Sequence, residues 1–314
     1  MKILVTGGAG FIASHVADGY IAAGHEVIIV DDLSRGNTKN LNPNATFYQG
    51  SILDRAFLEH VFEREKPEVI NHHAAQMDVR RGVKEPVFDA SVNILGSINL
   101  LELATEHKAK RIIYISTAGA AYGEPQTLPV SEDHPIHPIT PYGISKHTIE
   151  HYLFTFKFLY GLDYVVLRYG NVYGPRQSSK GEAGVFAIFS EQMLAGIQPV
   201  IFGDGTKYRD YVFIEDAVRA NVAALDRGSG EIFNIANGKP TTDYEVFALI
   251  RHLLEKKVEP RYLAIRPGEI EKIILDISKA ENLLGWKPVV SMAEGAKRTV
   301  EFFVSRSNTV EAMR

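Results

Sequence analysis

Short runs of apolar, mostly β-branched residues alternate with amphipathic stretches through the first half of the chain. Lys2–Thr6, Glu26–Asp31, Thr46–Gln49, Glu68–His73, Arg111–Ser116 and Tyr164–Arg168 read as strands. Phe11–Ala23, Asp54–Glu65, Pro86–His107 and Tyr142–Tyr160 read as the helices between them. Strands that are apolar throughout, rather than at every second position, are those buried on both faces. The rhythm therefore predicts an α/β fold built on a doubly wound parallel sheet with helices on both sides. After Gly170 the pattern loosens. Asn171–Glu182 carries turn residues and no strand pattern, Val185–Ala195, Glu215–Asp226, Tyr244–Leu254 and Met292–Val304 read as helices, and Pro199–Phe202, Asp210–Phe213 and Glu231–Ile235 as short strands. No low-complexity linker or repeat interrupts this. The expected organisation is a first domain over residues 1–168, to which 211–238 also contributes, and a smaller α/β lobe over 169–314 interleaved with it.

Composition narrows the functional classes. With 314 residues, 45% hydrophobic and 23% charged, the chain has the make-up of an ordinary globular protein with ample core. The net charge of −4 comes without any basic run, which argues against nucleic acid and anionic membranes as partners. There are no cysteines, so disulfides, thiolate catalysis and cysteine zinc sites are excluded. Glycines follow the first apolar residues at once, leaving no secretory core segment, and no apolar run is expected to reach the roughly 18 residues a membrane span needs. A cytoplasmic location is expected.

The first chemistry lies at Gly7-Gly8-Ala9-Gly10, between a strand and a helix. Glycines belong there if the turn is tight and a pyrophosphate approaches the backbone, with the helix N-terminus offering N–H groups to the phosphates. Asp31 ends the second strand about 20 residues on, where a carboxylate accepts from a ribose 2′-hydroxyl. That carboxylate would repel a 2′-phosphate, so NAD is favoured over NADP, with Arg35 as the opposing feature. The expected domain is thus a Rossmann sheet holding NAD.

Tyr142 and Lys146 stand one helical turn apart and share a face. An ammonium near a phenol stabilises the phenolate and lowers its pKa from about 10, which would make Tyr142 a general base near neutral pH. On an arbitrary helix this spacing commonly marks a solvated face. Its place after the fifth strand of a dinucleotide-binding unit reverses that weighting.

With Ser116-Thr117 at a strand end, these motifs resemble the extended short-chain dehydrogenase/reductase superfamily. His73-Ala74-Ala75-Gln76, Leu167 through Arg176, Gly203-Asp204-Gly205, Arg209-Asp210-Tyr211-Val212 and Arg266-Pro267-Gly268-Glu269 narrow the resemblance to the nucleotide-sugar 4-epimerases, over nearly the whole chain. The nearest relatives act on UDP-glucose and UDP-galactose. The resemblance implies that Tyr142 takes the 4-hydroxyl proton, Lys146 supports it and holds the nicotinamide ribose, and a 4-keto sugar turns over before reduction on its other face. It implies cofactor contacts from Gly7, Gly10, Phe11, Ile12, Asp31, Asp32, Asn37, Ser51, Ile52, Ala74, Ala75, Gln76, Asn93, Ser116, Tyr142, Lys146 and Tyr169. Substrate contacts are implied for Asn171, Gly184, Val185, Arg209, Arg266 and Glu269, with Ile273 near the sugar. Guanidinium forks suit a diphosphate. Two departures stand out. Ala118 replaces a serine common in the family, so Thr117 must supply the hydroxyl, and Ser51 replaces an aspartate beside the adenine.

The resemblance also implies a homodimer, formed by the helix after the glutamine motif and the Tyr–Lys helix. The aromatic positions Tyr152, Phe154, Phe156, Phe158 and Tyr160, with Met77, then read as core or interface. His72-His73 is no metal pair, since neighbours on a strand point to opposite faces, and no metal is expected. Two other functions remain open. A nucleotide-sugar 4,6-dehydratase or decarboxylase would need an acid after the strand-end threonine, where Ala118 and Gly119 stand and no carboxylate precedes Glu124. A non-catalytic NAD-binding regulator would have little use for both Tyr142 and Lys146.

Overall fold

The computed structural model describes residues 1–179, 184–265 and 270–312. Among the described residues twelve strands follow in chain order: β1 (Lys2–Thr6), β2 (Glu26–Asp31), β3 (Thr46–Gln49), β4 (Val69–His72), β5 (Arg111–Thr117), β6 (Asp163–Tyr169), β7 (Asn171–Tyr173), β8 (Val200–Phe202), β9 (Tyr208–Phe213), β10 (Glu231–Ile235), β11 (Pro240–Thr242) and β12 (Arg261–Leu263). Seven of them form one sheet in the order β10-β6-β5-β4-β1-β2-β3, with every neighbour parallel. The doubly wound parallel sheet expected from the alternation is present.

Successive residues of the inner strands feed different faces. Ile3 and Val5 join one hydrophobic cluster while Leu4 joins another, and Ile113 and Ile115 part from Ile112 and Tyr114 in the same way. On the first face lie the helices Phe11–Ala22 and Ile214–Ala223, through Val16, Ala17, Tyr20, Ala217 and Ala220. On the other lie Arg55–Glu65, Gly96–Glu106 and Pro141–Tyr160, through Leu58, Phe62, Leu100, Leu101, Ile149 and Leu153. The direction of travel reverses at β1, which has β2 on one side and β4 on the other. In such sheets the crevice beyond the carboxyl ends at this reversal receives the ligand. The glycine turn leaves β1 at that point.

Three features depart from the pattern reading. Asn171–Tyr173 is a strand after all, paired parallel with Tyr211–Phe213 in a three-stranded sheet β11-β9-β7. Three residues are too few to display alternation. The expected helix Pro86–His107 runs from Pro86 to Glu106 but carries a π turn over Ser91–Leu95 between its α-helical parts Pro86–Ala90 and Gly96–Glu106. Finally, Pro86–Glu106 is long and apolar enough by length and composition to cross a membrane, contrary to the expectation that no segment would be. Leu100, Leu101, Leu103 and Ala104 bury their side chains against the sheet, whereas Val87 (79% exposed) and Leu95 (57%) point outward.

Candidate active site

Gly7 carries the left-handed conformation, with φ 71°, and a Cβ there would lie 2.9 Å from both N and Cα of Ala74. A side chain would collide with the neighbouring backbone, so glycine lets the turn seat against the strand after β4. Gly7 N–H donates to Val30 (2.7 Å) and Gly10 N–H to Gly7 (2.9 Å), which fixes the loop. The helix Phe11–Ala22 then starts at Gly10 with no side-chain cap and no acidic residue in its first turn. Orphan N–H groups and the positive end of the helix dipole are left for an anion.

Asp31 completes this corner. Its carboxylate accepts from Ala9 N (3.0 Å) and Leu33 N (2.8 Å), and burial pushes its pKa up while those N–H groups oppose the rise. Arg35 is paired with Asp78 at 3.6 Å. Asn37 caps the short turn Thr38–Asn40 and donates its own N–H to Ala9, and Asp32 accepts from Ser34 N. Ile52 is buried, Ser51 accepts from Leu53 N, and Ala74 N donates to the Thr6 hydroxyl. An uncapped helix end, a glycine cradle and a fixed carboxylate at the sheet reversal suit a dinucleotide.

The Tyr–Lys helix begins where the sequence places it, at Pro141, with Thr140 as cap accepting from Gly143 N and Gly161 ending it. Gly143 permits the decisive packing. A Cβ there would lie 2.8 Å from the carbonyl carbon of Ala120 and 3.1 Å from Pro138, so Tyr142 is carried against the segment that follows Thr117. Ala118 is fully buried and donates its N–H to Tyr169, while Ile270 and Ile273 close over Gly119. Lys146 is buried with its ammonium 4.1 Å from the centre of the Tyr114 ring.

Electrostatics correct one expectation. The Tyr142 phenol is not lowered in the protein alone. Burial, with the Asp89 carboxylate adding to it, pushes it up to about 12. Burial also pulls Lys146 down to about 7, against the charges of Glu150 and Asp89. Helical spacing reports the attraction between the pair but not desolvation, which disfavours both charged forms.

Two polar networks hold this helix, and neither was legible from local motifs. Asp89, buried, accepts from Ser145 Oγ (2.7 Å) and Gln76 Nε2 (3.0 Å). Asn93, inside the π turn, accepts from Gln76 N and donates to Gln76 O and Ser145 Oγ. On the other flank Glu150 accepts from Ser116 Oγ (2.6 Å) and from Arg168 through Nε (3.0 Å) and Nη2 (2.5 Å), and Arg168 reaches the Tyr122 hydroxyl. The hydroxyl of Ser116 is thereby committed to Glu150. The available signals were charges inside apolar runs: Asp89 in a helix, Arg168 in a strand.

The remaining positions lie apart along the chain. Asn171 opens β7, Gly184 starts the helix Val185–Leu194 without a side-chain cap, and Arg209 donates to the carbonyls of Tyr208 and Glu271 at 3.1 Å. Arg266 and Glu269 lie outside the described residues. Tyr169 is buried and bonded to Asn221, and burial raises its phenol. His72 is bridged between Thr6 and Ser97, while burial and the Lys146 charge pull His73 down to about 3. Glu124 accepts from Glu271 N at 3.0 Å.

Comparison with known proteins agrees with this geometry. Residues 3–236 match the family model described as NAD dependent epimerase/dehydratase family. The chain is 46% identical over 307 residues to a putative UDP-glucose 4-epimerase of Methanocaldococcus jannaschii, covering 98% of this chain and 100% of the relative. A UDP-glucose 4-epimerase of Thermotoga maritima, solved with UDP-glucose, superposes with a TM-score of 0.96 at 50% identity, covering 98% of this chain and 100% of that one. The Thermus thermophilus UDP-glucose 4-epimerase, solved with NAD, gives 0.92 at 38% identity, covering 97% and 99%.

Proposed function

We propose that this chain, which belongs to the NAD dependent epimerase/dehydratase family, interconverts UDP-glucose and UDP-galactose by inverting C4 through a transient 4-keto sugar. The observation that carries the reading is one arrangement at the carboxyl edge of the sheet. The glycine cradle and Asp31 stand at the reversal, and Gly143 lets the turn bearing Tyr142 close onto the segment after Thr117.

When bound, NAD supplies a reversible two-electron acceptor and, in its oxidised form, a pyridinium cation. The Gly7–Gly10 turn and the first turn from Phe11 and Ile12 would bind its pyrophosphate, and Asp31 a ribose hydroxyl, with Asp32, Asn37, Ser51, Ile52, Ala74, Ala75, Gln76, Asn93, Ser116 and Tyr169 walling the site. Tyr142 takes the proton of the 4-hydroxyl and returns it to the inverted alkoxide. With the phenol held near 12, that step needs positive charge nearby, and protonated Lys146 provides it within the protein. Thr117 donates to the oxygen that becomes the carbonyl. Asn171, Gly184, Val185 and Arg209, joined by Arg266 and Glu269, would bind the nucleoside diphosphate. Epimerisation is favoured over 4,6-dehydration because Ala118 and Gly119 follow Thr117 and Glu124 is turned to Glu271.

The chain is also read as a homodimer. Val87, Leu95, Ile144 and Leu159 are more than half exposed on two helices that Asp89, Asn93 and Ser145 lock side by side, and a second copy related by a two-fold axis would cover both at once.

The test is UDP-glucose given to the purified protein, with products identified by NMR. Wild type is expected to yield UDP-galactose, and Tyr142→Phe to lose a factor of about 10²–10⁴ in rate while retaining NAD. Accumulation of a 4-keto-6-deoxy sugar would overturn the reading.

A further inference from the structure

His147 and His151 lie one turn apart on the outer side of the helix Pro141–Tyr160, apart from the groups given a role in proton transfer. Their Nε2 atoms share a hydrogen bond at 3.1 Å, whose proton an ion would replace, with ring centroids 4.6 Å apart and planes inclined by 70°. Two imidazoles bound to one ion at about 2.0–2.1 Å bring their nitrogens to about 2.9 Å apart at a right angle and about 3.4 Å at the tetrahedral angle. The observed separation falls between the two.

The other ring nitrogen of His147 is equally informative. Its Nδ1 lies 3.0 Å from Glu150 Oε2. Donation to a carboxylate fixes the ring's orientation and leaves Nε2 as the lone-pair donor, the outer-sphere support that metal-binding histidines use. Glu150 is itself immobilised by Ser116 and both faces of the Arg168 fork, so the ring is oriented before any ion arrives. His151 is exposed and His147 keeps 23% of its side chain accessible. At about 100° per residue, Ser145, Ile149 and Phe156 face the preceding helix, whereas the histidine pair lies on the opposite flank, toward Arg168. On that wheel His151 falls about 20° from Ile144, so the pair lies at the rim of the exposed apolar strip assigned to the second copy.

We propose that His147 and His151 bind one divalent transition-metal ion of the zinc, nickel or copper class per protomer, with water completing its coordination. Imidazole nitrogen selects these ions over magnesium and calcium, which prefer oxygen. Among the described residues no group of three or more His, Cys, Asp and Glu side chains could hold a metal, so this site has two protein ligands and an exchangeable ion. It also departs from the sequence-based expectation that the chain binds no metal.

The test is calorimetric titration of the chelator-treated holoenzyme with nickel chloride, beside His151→Gln and His147→Gln, with circular dichroism confirming the fold of each. One Ni²⁺ per protomer is expected, with affinity falling at least tenfold in each variant and no binding of Mg²⁺. Copper(II) at one equivalent should show nitrogen hyperfine structure in its electron paramagnetic resonance spectrum that His151→Gln removes. A nickel affinity in His151→Gln within threefold of wild type, or an unchanged copper spectrum, would overturn the proposal.

Discussion

Replacing Arg168 with methionine removes the positive half of a buried ion pair and leaves a carboxylate among the strands. Both side chains are 3% exposed, and Glu150 meets the guanidinium at 3.0 and 2.5 Å. Despite the burial that opposes ionisation, hydrogen bonds from His147 and Arg168 and the Arg168 charge bring Glu150 from 4.5 down to about 2. At 1.36 kcal/mol per unit, that difference favours the folded, ionised form by about 3 kcal/mol. Breaking a buried pair on one side costs about 3–5 kcal/mol in general. Arg168→Met should therefore lose about 3–5 kcal/mol in urea unfolding followed by circular dichroism at pH 7. Arg168→Met/Glu150→Gln should regain at least half of that, because the glutamine still accepts from Ser116 without a buried charge. The sign of the pH effect follows from the depressed pKa. The contribution of Glu150 is fully present above about 4.5 and is lost as pH falls toward about 2, so the penalty of Arg168→Met narrows over that window. A single-variant loss below about 1 kcal/mol at pH 7, or a double variant no more stable than the single, would refute the reasoning.

Gly7→Ala must hold φ 71° with its methyl 2.9 Å from the Ala74 backbone. A cost of about 1–2 kcal/mol from the left-handed conformation alone is expected, read as a lower melting temperature and as less NAD in the purified protein. Thr117→Val should slow kcat about fivefold or more, since loss of one hydrogen bond in the transition state costs about 1 kcal/mol or more; an unchanged kcat would move the hydroxyl role elsewhere. Leu159→Glu places a charge on the exposed apolar face, and light scattering should then report half the wild-type mass if that face is covered by a second copy.

Legibility followed the range of the interactions. The inner strands were readable because they are apolar throughout and buried on both faces, and Lys2–Thr6 and Glu26–Asp31 fall on their expected limits, as do the edge strands Thr46–Gln49 and Glu231–Ile235. β7, β11 and β12 escaped notice because three residues show no period and each holds polar positions, whereas the equally short β8 is apolar throughout. The π turn escaped because an inserted residue leaves composition unchanged and only shifts phase. Within the site, the glycine turn, Asp31 and the Tyr–Lys pair are local motifs and stood out. Glu150, Arg168 and Asp89 did not, since their partners lie far along the chain. Tyr142 shows the limit in another form: its position was readable, but its ionisation depends on burial, which spacing does not report.

The sheet does not close where its first half ends. β10, residues 231–235, supplies the strand beside β6, and Asn234 bonds back to Tyr122, Val130 and Asp276. During synthesis β1 to β6 emerge long before β10 exists. The apolar run Tyr164–Leu167 of β6 is then an uncovered sheet edge, the kind of surface that seeds pairing with another chain. A messenger cut or a stalled ribosome short of residue 235 would leave an aggregating fragment, not a small binding domain.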